Sequence, residues 1–111
     1  GFTIPSLDAS PTLLASSTAT VDASFEVTFS ANADWQLAID SIRYDSNLID
    51  PAAYDDSQSG KIIFDPSLDS DLQVADTKDL VVYAQGYANA SVSQEIKHGA
   101  ANTLNIVLNI S

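Results

Sequence analysis

The sequence predicts an all-β chain, two packed antiparallel sheets forming a β-sandwich with one or two short helical turns. Three observations point there. The acids are thirteen Asp against two Glu, alongside plentiful Ser, Thr, Val and Ile. Asp bonds nearby backbone groups and favours caps and turns, whereas β-branched residues suit pleated strands. Short runs of alternating apolar and polar residues recur at sandwich spacing, with no long helical period and no internal repeat. Finally, 111 residues that are 45% hydrophobic make one domain with enough apolar surface for a core.

The elements follow in order. Residues 1–11 contain Pro5 and Pro11 and little period, and read as a leading linker or edge segment, with residues 12–111 forming the single sandwich domain. Residues 12–15 suit a first short strand. Residues 24–30 are the clearest strand, with Phe25, Val27 and Phe29 on one face and Glu26 and Thr28 on the other. Asn32 and Asp34 offer capping side chains. Trp35, Ala38, Ile39 and Ile42 follow at spacings of three and four, which suggests one or two helical turns from Asp34 that seat Trp35 on the core. Residues 41–45 read as extended, with Ile42 and Tyr44 alternating against Arg43, and Asp45-Ser46-Asn47 as a turn. Asp50-Pro51 starts a helical turn. Residues 61–65 form a strand, and residues 66–79 a long acidic stretch. Residues 80–84 are apolar on both faces and read as a central strand. A turn at residues 86–89 leads to alternation over residues 90–97. After His98-Gly99, residues 103–110 alternate as a final strand. The expected core is Trp35, Phe25, Phe29, Phe64, Tyr83 and the Ile and Val positions.

Composition excludes several functions. The formal charge is -11, and Arg43, Lys61, Lys78 and Lys97 are the whole positive complement. Such a chain repels a phosphate backbone, so nucleic acid is excluded as a partner. Without cysteine there is no disulfide, thiolate metal site or thiol nucleophile. No apolar run approaches the ~18 residues of a membrane span, so membrane insertion is not expected. The absence of Met and the Gly1-Phe2 start suggest a processed protein or a piece of a larger multidomain chain.

Several ordered features carry a family resemblance. They are Val27-Thr28-Phe29, Trp35-x-x-Ala38-Ile39-x-Ser41-Ile42, Gly60-Lys61-Ile62-Ile63-Phe64 and Asp79-Leu80-Val81-Val82-Tyr83-Ala84. The most specific is Gly86-Tyr87-x-x-Ala90-x-Val92-x-Gln94-x-Ile96. Together they span about residues 12–97 and resemble the haemoglobin-interacting domain family of bacterial surface proteins, first recognised in streptococcal haem-uptake receptors. The resemblance implies an immunoglobulin-like sandwich acting as a binding or spacer module on a secreted or wall-attached bacterial protein. Haemoglobin is the partner it suggests. The shared residues themselves have core and turn spacing, and fold does not fix function.

Four sets of side chains are candidates for chemistry. Tyr83 and Tyr87 form a Tyr-x-x-x-Tyr, similar to the spacing in near-iron-transporter haem sandwiches, where one phenolate ligates iron and the second tyrosine supports it. On a strand, residues four apart share a face, but Gly86 is expected to bend the chain between these two. The structural alternative is a core Tyr83 and a turn Tyr87. Asp69 and Asp71 form an Asp-x-Asp for calcium, which needs six to eight oxygens, although no Gly or terminal Glu falls in register. Solvated turn aspartates are the simpler reading. His98 is the lone histidine available to a Ser-His-Asp arrangement, and no Gly-x-Ser-x-Gly elbow accompanies it. Tyr54 and Tyr87, with Tyr44 behind them, are candidate contact aromatics, since tyrosine joins apolar area to a polar tip.

The sequence thus reads as a non-catalytic interaction or spacer module, extracellular or at the cell surface, that requires no cofactor. The competing readings are a haem-binding surface domain using Tyr83 and Tyr87, and an accessory carbohydrate-binding module of a larger enzyme.

Overall fold

The alternation at Phe25, Val27 and Phe29 becomes the inward face of one sheet. A computed structural model describes residues 7–99, and the expected strand at residues 103–110 lies outside them. β1 (Phe25–Thr28), α1 (Ala33–Leu37) and β2 (Ile39–Tyr44) come first, then β3 (Asn47–Leu48), β4 (Tyr54–Asp55) and β5 (Lys61–Phe64), and last β6 (Asp76–Ala84) and β7 (Ala90–Ile96). They make two antiparallel sheets, ordered β1-β5-β4 and β3-β2-β6-β7. The expected all-β sandwich is therefore the architecture observed.

The two sheets close over a largely apolar core. Phe25 stands opposite Phe64 on the neighbouring strand, and their rings stack with centroids 5.2 Å apart. Phe29 meets Trp35 edge-on at 5.0 Å. Trp35 is fully buried, together with Val27, Ile42, Ile62, Phe64, Leu80 and Val82. Such aromatic pairs add to the stabilisation from area burial alone.

Local chemistry sets the element ends. Asn32 caps α1, its side chain accepting from the Trp35 amide at 3.1 Å. The helix stops at Leu37, so Ile39 and Ile42 lie on β2 rather than continuing it. The β2–β3 turn holds Asp45 and Ser46 at φ 53° and 66°, the left-handed geometry that matches strand twist in a two-residue hairpin. Asp50 caps the short helical turn at Pro51–Ala53. The acidic stretch divides. Asp65 and Asp69 cap two further turns, Pro66–Leu68 and Ser70–Gln73, and residues 76–79 are already β6.

Two tyrosines exchange the places expected of them. Tyr83 was expected in the core, but it alternates with buried Val82 and Ala84 and stands half-buried on the outer face of β6. Tyr44 was expected at the surface, but it is only 1% exposed and shares the inner face of β2 with Ile42. Its hydroxyl donates to the Gln94 carbonyl at 2.9 Å. Burial, helped by nearby Asp76, pushes its pKa up to about 12.

The N-terminal segment runs along β7 in the same direction and fastens both sheets. The Asp8 amide donates to the Gly86 carbonyl, and the Ala88 amide to the Asp8 carbonyl. Leu14 then crosses to β1, exchanging both backbone bonds with Thr28. Ala19 and Val21 return to bond Lys97. Between these contacts the fully buried Gln94 side chain stands in for main chain. Its Oε1 accepts from the Ser16 amide at 2.8 Å and its Nε2 donates to the Ser16 carbonyl at 2.9 Å. The second Nε2 hydrogen reaches the Glu95 carbonyl. This strap brings Leu13 and Ala19 into the core.

Two outcomes are expected. Gln94→Leu leaves both Ser16 groups without that partner, so urea unfolding should show a loss of ~1–3 kcal/mol, with faster hydrogen exchange at the Ser16 and Val21 amides. Unchanged exchange there would contradict the strap. For Tyr44 the folded pKa lies above the unfolded value, so its contribution is whole below pH ~10 and falls as pH rises towards about 12. Tyr44→Phe should cost ~1–2 kcal/mol at pH 7 and flatten that alkaline decline in denaturation curves.

Candidate functional site

An open cleft of about 560 Å³ lies between α1 and the loop joining β4 to β5. Ala33 and Leu37, four residues apart and so on one face of the helix, line it with Ile39. Asp56 and Ser59 line the loop side. Leu37 is 87% exposed, more than any other large apolar residue described. Its neighbours on the helix are the reverse, with Trp35 and Gln36 both buried.

Gln36 fixes the loop wall. Its Nε2 lies 2.6 Å from the carbonyls of both Asp56 and Gln58, and the Gly60 amide points to its Oε1 at 3.4 Å. Gly60 itself has φ 81°, a conformation glycine adopts without strain. A helix seated by Trp35 and a loop bonded to Gln36 make a cleft whose two sides are tied together before any ligand arrives.

The electrostatics of this end are acidic. Burial raises the Asp56 pKa above the ordinary carboxylate value, with Asp55 adding repulsion. Asp55 is itself held low by hydrogen bonds from the Ser57 hydroxyl and amide. The Tyr54 phenol is raised by burial and then by the charges of Asp56 and Asp40.

The residues singled out from sequence do not gather in one place. Tyr54 lies on β4, packs against Phe64 at 6.2 Å and feels the cleft carboxylates. Tyr87 follows the Gly86 turn and packs against the core cluster. Tyr44 is interior and offers no ring to a partner. The shared-face argument for Tyr83 and Tyr87 fails, because β6 ends at Ala84 and the chain turns between the two phenols. The Asp69 carboxylate is engaged by backbone amides. Its Oδ1 accepts from the Asp71 amide and its Oδ2 from the Asp50 amide at 2.7 Å. Among the described residues no group of three or more His, Asp or Glu side chains is arranged to hold a metal. Gln36 and Leu37 were missed from sequence. Leu37 lay off the helical spacing that marked the core, and the bonds of Gln36 go to backbone atoms, which leave no side-chain motif.

A family model now bears on this geometry. The family described as haem-binding protein Shr-like, haemoglobin-interacting domain, matches residues 13–97. The chain belongs to that family. No curated protein and no solved structure matches it. Among the described residues, β1 to β7 all lie within the matched span. Its most specific sequence run is structural. Gly86 makes the turn at φ 84°, Ala90 and Ile96 are buried, and Gln94 holds the strap. The family is one of binding domains, and among the described residues no helix is long and apolar enough to cross a membrane.

The engagement of Asp69 by two backbone amides gives an expected outcome. Melting temperatures in millimolar calcium and in chelator should coincide, and a rise in calcium would restore a cation site to this loop.

Proposed function

We propose that this chain is a non-catalytic haemoglobin-binding module displayed on a bacterial surface protein, with the α1 cleft as its contact surface. The family match across residues 13–97 is the observation that carries the reading. The exposed Leu37 on a helix anchored by Trp35 supports that choice of surface, since covering apolar area on a preorganised element gains burial at little ordering cost. Tyr54, on whose phenol the charges of Asp56 and Asp40 act, is the aromatic we assign to the contact. Tyr87 packs against the core cluster after the Gly86 turn. The separation of Tyr83 from Tyr87 favours recognition of the globin protein surface over ligation of free haem iron.

The immobilised chain should retain haemoglobin from purified solution, whereas titration with free haem should give no Soret shift. Failure to retain haemoglobin would remove that partner and leave a spacer role in a larger chain. A Soret shift lost in Tyr83→Phe would restore the haem reading.

A further inference from the structure

We infer that the α1 cleft takes an apolar side chain flanked by lysine or arginine on a protein partner. This rests on the binding reading above and specifies the chemistry of the bound segment. The apolar part follows from Ala33, Leu37 and Ile39, which present one continuous greasy side to the opening. Leu37 gains nothing from the protein's own core and remains 87% exposed. A partner side chain that covers it removes apolar area from water on both molecules.

The basic part follows from the rim. Asp56 lines the cleft, and Asp40 and Asp56 together act on the Tyr54 phenol. Asp34 and Asp55 sit next to lining residues in the chain. The protein's own cations are engaged elsewhere. Lys61, whose carbonyl lies 3.3 Å from Gln36 Nε2, sends its ammonium to Glu26 at 3.0 Å. Arg43 bonds the Ser46 carbonyl, Lys78 lies 3.8 Å from Asp45, and Lys97 reaches the Ser17 carbonyl. Among the described residues, none of these four cations pairs with a cleft carboxylate, so the negative rim beside the apolar lining is left for a partner. A partner lysine or arginine supplies the missing counter-charge, and an acidic partner is repelled.

The preformed wall sharpens the inference. Because Gln36 already holds the 56–60 backbone, binding need not order that loop, and the bound segment meets a fixed spacing between apolar floor and acidic rim.

The test uses three short synthetic peptides, Lys-Lys-Leu-Lys-Lys, Lys-Lys-Ser-Lys-Lys and Glu-Glu-Leu-Glu-Glu, titrated into the labelled chain and followed by amide chemical shifts. The leucine–lysine peptide should shift the Ala33, Leu37, Ile39 and Asp56 amides. It should bind about fivefold tighter than the serine version, in line with partial burial of one leucine. The acidic peptide should leave those amides unmoved. Leu37→Ala should erase the advantage of leucine over serine at an unchanged melting temperature, because the side chain is exposed. Asp40→Asn with Asp56→Asn should weaken both lysine peptides and flatten their salt dependence. Equal binding of the leucine and serine peptides, or shifts spread over the acidic surface without focus on α1, would overturn the inference. Either result would leave haemoglobin retention, measured separately, to stand or fall alone.

Discussion

The Gln94 side-chain amide is the interaction on which the closed sandwich depends. An antiparallel sheet ends in a strand with unpaired backbone groups, and an open edge of this kind invites pairing with another chain. Here β7 is that edge. The N-terminal segment covers it, but it leaves β7 at Leu14 to bond Thr28 on β1 in the other sheet. A gap opens where the strap crosses. Gln94 fills it with one acceptor and one donor on Ser16, as a peptide unit would. The amide is buried, so an apolar residue of similar size would fill the volume and leave the strap groups without their partners. Tyr44 then bonds the Gln94 carbonyl from β2, so one residue ties the strap, the edge strand and the sheet interior.

Gln36 solves the same problem on the other flank. β4 pairs only with the end of β5, at Phe64 and Ile63. The Lys61 end and the preceding loop have no strand beside them there, and the Gln36 amide lies against their carbonyls instead. A neutral amide suits both places because it supplies a donor and an acceptor without the desolvation cost of a charge. The chain has no cysteine with which to staple either flank covalently.

Much of the fold was legible because the strands keep strict alternation. Phe25, Val27 and Phe29 pointed inward as their period required, and Trp35 reached the core through a helical turn capped at Asn32, two residues before Asp34. The same rule placed Ile42 and Tyr44 on one face, yet the tyrosine hydroxyl invited a surface reading. What the period could not reveal was a buried acceptor, the Gln94 carbonyl, waiting for that hydroxyl. Tyr83 misled in the opposite sense. In a run apolar on both faces, period alone does not say which face meets the other sheet, and the register that sets Val82 opposite Ile42 and Leu80 opposite Tyr44 leaves Tyr83 on the outer one. The acidic stretch concealed the start of β6, since Asp76, Lys78 and Asp79 resemble loop residues until Gln94 and its neighbours pair with them.

The candidate site was less legible for a physical reason. Sequence patterns reveal groups that act on one another through side chains, and the cleft is built from a side chain acting on backbone. Leu37 carries no motif. Its meaning comes from the contrast with Trp35 and Gln36 beside it, which fix the helix so firmly that the leucine cannot turn inward. A mobile helix would bury such a residue or let it wander. A helix held at its cap, its indole and its amide keeps it exposed on the cleft that Asp56 also lines. The side chains that rigidify the fold therefore also create the apolar and acidic surface from which binding is argued.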